Sequence, residues 1–396
     1  MKILAVSTYL PLPQNHGDAL RVLMMLRVLS DLGDLTALSV LRRDSTERDI
    51  SAFASAVPNA DVRVFRLSPM STSSSPINRA RRLFFGLRHL TPPLFYSPYS
   101  EELDEFICTN GDQYDLVILL GEAAGVYSRH FRSVRVIWDK ANVFTFFCFN
   151  SVYNLRSIRQ KTKFLFNAGL SYCFEKRVLR SAEAVWVTAP EEGPRLKSVF
   201  RRSPDAVIRS SIETSPDNPK RFEPTSRTLV WMSTFGYPPN WDGLRRLIIE
   251  AGQVFQENGM TLRVVGAGAS DSQIDFLGRF AFVEYVGFAE NLDTVFASAA
   301  AGVVPIWAGA GVKLKTITMM SRGLPVVSTP VGMEGIPSEA ALCVSSVSQD
   351  LVLAVARSTE EELRDASSRA FVAVGKSFSA AAFREGVRSS IAELSR

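Results

Sequence analysis

Short apolar runs alternate along the chain with longer segments in which apolar residues recur every three or four positions. The runs have the length of β-strands, and the longer segments have the period of α-helices. This alternation is typical of parallel sheets that are covered by helices on both faces. The sequence therefore predicts an α/β protein.

The predicted strands form two series that are separated by a break in the pattern. Between the first two strands, Ala19, Val22, Leu23, Leu26 and Leu29 lie at helical spacing, and Gly33 is placed to end that helix. The first series is 3–7, 35–41, 62–67, 116–120, 134–138 and 184–188. The second series is 229–233, 262–265, 283–286, 302–306, 325–328 and 342–345.

The break between the two series predicts a linker over residues 209–226, which contain Pro216, Pro219 and Pro224. We therefore expect a first domain over 1–208, a second over 227–375, and a C-terminal helix over 376–396 that packs back toward the first domain. Both domains should be Rossmann-like and doubly wound, in tandem, with the carboxyl ends of their sheets facing one cleft. Ligands of such folds usually bind there.

Composition excludes several other classes of protein. A length of 396 residues, 46% of them hydrophobic, is too large for a single small binding module and too apolar for a disordered or fibrous chain. The net charge of +5 neither requires nucleic acid nor forbids an anionic substrate. The four cysteines, Cys108, Cys148, Cys173 and Cys343, form no C-x-x-C pair, so neither a zinc site nor a disulfide framework is predicted, and a reducing cytosol fits best.

Two segments mix basic with aromatic residues and are candidates for contact with a membrane surface, 78–90 and 144–166. The first follows a Ser/Thr-rich stretch, 69–76, that is expected to be a loop. No apolar run reaches about 18 residues, and the N-terminus suits a first strand better than a signal peptide. Two interpretations stay open for both segments: a helix that rests on an anionic membrane surface, or a helix that covers its domain with its cations in water.

The strongest local signal for chemistry is the segment 305–336. A strand ends there at Ile306, and a helix is expected to start near Gly311. Gly309 and Gly311 carry no Cβ, so the backbone can approach a ligand closely. The first amides of a helix point outward with the positive end of its dipole, and Lys313 and Lys315 add formal charge. A diphosphate is the expected ligand, and a glycine pair used only for a tight turn is the alternative.

This segment resembles the donor-binding signature of family 4 glycosyltransferases of the GT-B fold, especially bacterial members that assemble surface polysaccharides. The positions that match the signature are Gly309, Ala310, Gly311, Val312, Lys313, Leu314, Lys315, Gly323, Pro325, Val326, Val327, Ser328, Thr329, Gly332, Glu334 and Gly335. Further similarities lie in the proline-rich loop before Arg21, in Asp139 with Asn142, and in the segments 231–240, 262–268 and 286–291.

The resemblance implies a retaining glycosyltransferase that moves a hexose-like sugar from a nucleotide-diphosphate donor to a saccharide, a glycolipid or another glycan. Donor-binding residues would be Gly17, Gly236, Gly266, Gly287, Phe288, Gly309, Ala310, Gly311, Val312, Thr318 and Glu334. Catalytic residues would be Lys313, Lys315, Asp139, Glu122 and His16. Glu122 and Asp139 follow strands of the first domain and are candidates to orient an acceptor hydroxyl, the alternative for each being a helix cap or a solvated loop residue.

No metal and no separate cofactor are expected. The sequence has no Asp-x-Asp motif, and its own basic residues can stabilise the negative charge of the leaving diphosphate. The expected partners are a nucleotide-sugar donor, a glycan or lipid-linked acceptor and an anionic membrane surface, without nucleic acid, at the cytoplasmic face of the plasma membrane. Two positions depart from the family: Thr318 replaces a common glutamate, and Ala141 replaces a histidine. A nucleotide-sugar-binding partner without catalysis and a nucleotide-sugar epimerase on the same fold therefore remain as alternatives.

Overall fold

A computed structural model describes residues 1–12, 17–41, 45–68, 75–96, 98–154, 158–212, 222–309 and 311–394. The strands are β1 (Lys2–Ser7), β2 (Asp34–Val40), β3 (Ala60–Phe65), β4 (Leu116–Leu120), β5 (Arg135–Lys140), β6 (Ala184–Val187), β7 (Ala206–Val207), β8 (Thr228–Met232), β9 (Thr261–Val265), β10 (Val283–Gly287), β11 (Ala301–Val304), β12 (Val326–Ser328) and β13 (Cys343–Val344). Each predicted strand corresponds to an observed one within two residues at either end. Strand β7 was not predicted, because two residues are too few to show a pattern.

The α-helices of the described residues alternate with these strands. They are α1 (Gly17–Ser30), α2 (Glu47–Ala56), α3 (Pro76–Arg88), α4 (Pro93–Tyr96), α5 (Glu101–Asn110), α6 (Phe144–Asn154), α7 (Ile158–Ser181), α8 (Glu192–Phe200), α9 (Pro238–Glu257), α10 (Asp271–Leu277), α11 (Leu292–Ala297), α12 (Leu314–Ser321), α13 (Ser348–Arg357), α14 (Glu360–Phe378) and α15 (Ala380–Leu394). Residues 69–74 of the expected loop and 213–221 of the expected linker lie outside the described part of the chain.

Both sheets are parallel and have the same winding. The first has the order β3-β2-β1-β4-β5-β6-β7, and the second has the order β10-β9-β8-β11-β12-β13. Each order reverses once, between β1 and β4 and between β8 and β11. In doubly wound folds, ligands bind outside the carboxyl ends of the strands at this reversal. The prediction of two Rossmann-like α/β domains is confirmed.

The chain divides into two compact units, one made of Met1–Ser211 with Phe383–Arg396 and the other of Ile212–Ala382. The C-terminal helix α15 thus belongs to the first unit. Its Phe383, Val387 and Ile391 are buried in the hydrophobic core on one face of the first sheet.

Helix α1 shows why the sequence folds locally as it does. The five apolar residues predicted for its inner face are all buried in the core. The helix ends at Ser30, however, and not at Gly33, which has another reason to be glycine. A Cβ on Gly33 would lie 2.2 Å from the carbonyl oxygen of Met1, so the close passage of the N-terminal strand excludes a side chain there.

Candidate functional site

In the second unit, the loop between β11 and α12 carries the glycines that the motif predicted. Gly309 has φ +137° and Gly311 has φ +75°, both in the region that favours glycine. A Cβ on Gly309 would meet Lys313 Cε and Tyr237 Oη at an ordinary 3.7 Å, so backbone conformation rather than space requires glycine at that position. Ala310 lies outside the described residues.

Helix α12 begins at Leu314, three residues later than the predicted start near Gly311. The positive φ of Gly311 is incompatible with a right-handed helix, so Gly311 and Val312 belong to the loop and Lys313 is the N-cap residue. The amide of Thr316 donates to the carbonyl of Lys313 at 2.9 Å. The amides at the very start of the helix are therefore those of Leu314 and Lys315.

Lys315 lies on the inner side of this helix start, against the end of β8. Its Nζ donates to Ser233 Oγ at 2.6 Å and to Asn240 Oδ1 at 2.7 Å, and it lies 5.9 Å from the centre of the Trp231 ring. Burial and, to a smaller extent, the nearby charge of Lys313 together lower the pKa of Lys315 to about 7. The ammonium group is held in place but carries no carboxylate partner among these contacts.

Lys313 is fixed by different contacts. Its Nζ donates to the carbonyl of Gly311 at 2.5 Å and lies 3.3 Å from Glu334 Oε2. Glu334 follows the 3₁₀ turn Val331–Met333 after β12, and its side chain is buried. The structure thus brings together the predicted residues Gly311, Lys313 and Glu334, and it makes Glu334 the counter-charge of Lys313.

The other predicted donor-site residues of this unit lie at the ends of neighbouring strands. A Cβ on Gly266 would lie only 1.8 Å from the carbonyl oxygen of Ser233, while a Cβ on Gly236 would meet nothing within 4 Å. Gly287 ends β10 with φ +79°, and the side chain of Phe288 after it is 73% exposed. Thr318 lies on α12, one turn beyond Leu314, and is partly exposed.

In the first unit, a cavity of about 460 Å³ opens at the carboxyl ends of β1, β4 and β5. This is the point at which the strand order reverses. Helix α1 contributes the residues of its first two turns; its first residue, Gly17, is partly exposed, and His16 lies outside the described residues. The cavity is lined by Thr8, Tyr9, Asp18, Arg21, Val22, Leu41, Leu67, Phe95, Pro98, Gly121, Glu122, Ala123, Asp139 and Ala141.

Glu122 lines this cavity just after β4. Its Oε1 accepts a hydrogen bond from the backbone amide of Asn142 at 2.8 Å. Burial and, to a smaller extent, the negative charge of Asp18 together raise the pKa of Glu122 to about 7. A carboxyl group with such a pKa exchanges its proton near neutral pH and can both donate and accept hydrogen bonds.

Asp139 is bound by a cation that the sequence analysis did not assign. Arg21 donates from Nη2 to Asp139 Oδ1 at 2.6 Å and from Nε to Oδ2 at 2.9 Å. The third bond of the guanidinium goes from Nη1 to the carbonyl of Ile208 at 2.7 Å, and the ring of Phe383 lies 5.6 Å from its Cζ. Asp139 is therefore neither a helix cap nor a solvated loop residue, and both of its oxygens are committed to Arg21.

The loop that follows Asp139 is held by three glutamates. Besides the bond to Glu122, the amide of Val143 donates to Glu192 Oε2 at 2.6 Å, and the amides of Phe144 and Thr145 donate to Glu175 at 3.0 and 2.9 Å. These donors are the otherwise unpaired amides at the start of α6. Glu175 also forms a fully buried ion pair with Lys140. The segment around Asp139 and Asn142, on which the resemblance partly rests, therefore leads into the start of helix α6, where carboxylates bind the first amides.

The residues that sequence reasoning left without a role are mainly partners of the predicted ones. Arg21, Ser233 and Asn240 stood inside the matched motifs, so their positions carried a signal. Glu175 and Glu192 carried none, because nothing local links them to partners that lie at least 30 residues away.

Two features are missing from the described residues: a cluster of metal-binding side chains and a membrane-spanning helix. No group of three or more His, Cys, Asp or Glu side chains in the described ranges could hold a metal ion. Among the described helices, none is both long and apolar enough to cross a membrane.

Comparison with known proteins identifies the second unit. Residues 226–365 match the family model described as Glycosyl transferases group 1. An uncharacterized 44.6 kDa protein in the cps region of Klebsiella pneumoniae is 22% identical over 347 residues, which cover 84% of each chain.

Solved structures show the same fold over nearly the whole length. HepE from Anabaena, in a complex with UDP-glucose, superimposes with a TM-score of 0.66 at 15% identity, over 99% of this chain and 100% of HepE. WaaG, a glycosyltransferase involved in lipopolysaccharide biosynthesis, gives 0.60 at 12% identity over 98% of both chains. TarM gives 0.65 at 10% identity, also over 98% of both chains. The chain thus carries a glycosyltransferase group 1 domain over residues 226–365, and as a whole it has the two-sheet GT-B fold of these structures.

Proposed function

We propose that the protein transfers a hexose-like sugar, with retention of configuration, from a nucleotide-diphosphate donor to a hydroxyl of a saccharide or lipid-linked saccharide in surface-polysaccharide assembly. The observation that carries the proposal is the pair Lys313 and Lys315 beside the Gly309–Gly311 loop, at the carboxyl end of β11. Gly309 and Gly311 put no side chain between the backbone and a ligand, and protein groups hold the two lysines at fixed positions. Both features suit a diphosphate.

The reaction requires stabilisation of the departing diphosphate, because negative charge grows on it while positive charge grows on the sugar. Lys313 and Lys315 are already held by protein groups, so they would act on that charge without reorganising. A well-placed fixed donor of this kind is worth roughly 3 to 4 kcal/mol of barrier. In a front-face transfer with retention, the leaving phosphate itself takes the proton of the acceptor hydroxyl, so no Ser-His-Asp arrangement is needed. Glu122 orients that hydroxyl in the first unit.

Two relatives guide the choice of substrates. HepE was solved with UDP-glucose, which makes UDP-glucose the first donor to test here. The Klebsiella relative is encoded in a cps region, and WaaG acts in lipopolysaccharide biosynthesis, which supports an acceptor from a surface glycan. The proposal includes independence from divalent metal, which is tested by activity in the presence of EDTA.

The deciding experiment combines binding with turnover. Titration calorimetry with UDP and UDP-glucose, followed by an assay for sugar release and transfer, should show binding and turnover in the wild type. Lys313→Ala and Lys315→Ala should each lower kcat by 100-fold or more, while the exposed control Lys376→Ala should not. Unchanged kinetics in both variants would remove the lysines from the diphosphate site.

Thr318 and Ala141 favour a second candidate, a nucleotide-sugar-binding partner without catalysis. Thr318 has one hydroxyl and cannot accept two ribose hydrogen bonds as a carboxylate does. Donor binding without release or transfer of sugar, across a panel of glycan acceptors, would support this candidate. Isomerised donor in the absence of acceptor would instead indicate an epimerase.

We further propose that the first unit works on an anionic membrane surface at the cytoplasmic face. Helix α3 exposes Phe84 by 67% together with Leu83 and Leu87, and the arginines Arg81 and Arg88 are exposed on the same helix, which contains no acidic residue. Apolar side chains and cations on one exposed helix complement anionic lipids.

Sedimentation with phosphatidylglycerol and phosphatidylcholine vesicles tests this surface. The wild type should bind the anionic vesicles, and Arg81→Glu with Arg88→Glu should lose most of that binding. Arg279→Glu with Arg357→Glu, two exposed positions on the second unit, is the charge-matched control, and it should bind as the wild type does. Full retention of the double variant on anionic vesicles would rule the surface out.

A further inference from the structure

The cavity of the first unit has an unequal distribution of charge. Among the described residues that line it, the charged ones are Asp18, Arg21, Glu122 and Asp139. Arg21 and Asp139 neutralise each other through two hydrogen bonds, and a third N–H of Arg21 donates to the carbonyl of Ile208. The charged groups of these described walls outside this ion pair are therefore two carboxyl groups.

Asp18 and Glu122 are close enough to influence each other. Asp18 is exposed at the start of α1, and its charge contributes to keeping the proton on Glu122. A further anion in the cavity would add repulsion against both groups, and the positive charge of Arg21 is already balanced by Asp139. A sugar hydroxyl, in contrast, both donates and accepts, so it suits Glu122 in either protonation state.

Apolar side chains line the cavity as well. They include Val22, Leu41, Leu67 and Phe95, and Phe95 is buried against the rings of Phe144 and Phe174. A pyranose ring has one face of C–H groups and a periphery of hydroxyls. The cavity thus offers both apolar and acidic groups, and these suit the two parts of a neutral sugar.

We propose that this cavity selects an uncharged sugar as the acceptor and discriminates against uronate and phosphate-bearing sugars, with Asp18 and Glu122 as the specificity-determining residues. This inference rests on the proposed glycosyl transfer and adds the acceptor class to it. The selection is electrostatic: the two carboxyl groups repel an anionic sugar, and the charge of Arg21 is balanced by Asp139.

Matched pairs of sugars that differ only at C6 test the proposal. The methyl glycosides of glucose, galactose and mannose are compared with the methyl glycosides of glucuronate, galacturonate and mannuronate, by saturation-transfer NMR titration of the full chain with UDP present at pH 8. At least one neutral glycoside should bind, and its uronate partner should bind at least tenfold more weakly. Asp18→Asn and Glu122→Gln should each reduce that ratio to threefold or less by strengthening uronate binding.

Three results would overturn the inference: a uronate that binds as tightly as its neutral partner, a ratio that neither variant changes, or the absence of binding by every neutral glycoside. Asp18 is exposed, so Asp18→Asn is expected to fold even if Glu122→Gln does not. A separate titration with UDP-glucose keeps the two proposals apart. If UDP-glucose is turned over but the uronates are preferred, only the acceptor selection fails, and if the selection holds without donor binding, only the proposed transfer fails.

Discussion

Arg21 binds both carboxylate oxygens of Asp139, at 2.6 and 2.9 Å, although 118 residues separate the two in sequence. Their side chains are 6% and 3% exposed, so the pair joins α1 to the end of β5 inside the first unit. In a buried pair, the loss of one partner leaves an uncompensated charge, which costs about 3 to 5 kcal/mol.

The Arg21–Asp139 pair predicts a specific pattern in a double-mutant cycle. Arg21→Met and Asp139→Leu should each lower the free energy of unfolding by about 3 to 5 kcal/mol, because each leaves the other charge buried. The double variant should lose clearly less than the sum of the two. Urea unfolding of the four proteins measures this, and additive losses would show that the two side chains act independently.

A second buried pair, Lys140 with Glu175, predicts an unequal response to its two single substitutions. Lys140→Met leaves Glu175 with its bonds from the amides of Phe144 and Thr145 and from the Thr145 hydroxyl. Glu175→Gln leaves the ammonium group fully buried without its ion-pair partner, with the Trp138 ring 4.5 Å away. We expect Glu175→Gln to lower the thermal midpoint more than Lys140→Met does, and the reverse order in calorimetry would contradict this.

Two glycines of the donor motif offer a matched test of why each residue is glycine. Gly266→Ala places a Cβ 1.8 Å from the carbonyl oxygen of Ser233 and must displace the end of β8 or β9. Gly236→Ala meets nothing within 4 Å. Overpacking of this kind costs about 1 to 3 kcal/mol, so Gly266→Ala should lower the free energy of unfolding by that amount and Gly236→Ala by less than about 0.5 kcal/mol. Equal losses of unfolding free energy in the two variants, measured by urea unfolding, would show that the steric contact at Gly266 does not determine the cost.

Glu122 predicts a pH-dependent stability with a defined sign. Its folded pKa of about 7 lies above its ordinary value of 4.5, so the folded protein keeps a proton that the unfolded chain releases. The contribution of this group to stability is therefore complete below pH 4.5 and is lost as the pH rises to about 7. Glu122→Gln cannot titrate, so its advantage over the wild type should grow between pH 5 and pH 8. The measurement is the free energy of unfolding of both proteins at each pH. An equal difference between Glu122→Gln and the wild type at pH 5 and at pH 8 would refute the raised pKa.

The lowered pKa of Lys315 predicts that its contribution to stability rises with pH, opposite to that of Glu122. It also predicts proton uptake when the donor binds. Its folded pKa of about 7 lies below its ordinary 10.5, so the unfolded chain binds the extra proton and the stability of the free protein rises from pH 7 to pH 10.5. A bound diphosphate restores the charge, so UDP-glucose binding at pH 8.5 should take up close to one proton. Calorimetry in buffers of different ionisation enthalpy measures this uptake. Lys315→Met should abolish it, and uptake that persists in the variant would assign the proton to another group.

The sequence by itself determined the α/β class, the two doubly wound units and the position of the glycine-lysine loop. These features follow from local periodicity and from residues close together in the chain, such as Gly309, Gly311, Lys313 and Lys315. The sequence placed the start of α12 too early, because it does not show that Gly311 takes a positive φ. It also assigned Gly33 to a helix end that lies three residues earlier.

Tertiary structure decided which of the candidate groups are available for chemistry. Asp139 and Glu122 are both acidic residues at strand ends and look alike in the sequence. In the structure, Arg21 binds Asp139, whereas burial and the charge of Asp18 raise the pKa of Glu122 to about 7. Lys315 owes its lowered pKa first to burial and then to the charge of Lys313, and the groups it contacts, Ser233, Asn240 and Trp231, lie more than 70 residues away in the chain. The physical reason is that desolvation and charge depend on the groups nearest in space, and only the packing of the sheets and helices brings those groups together.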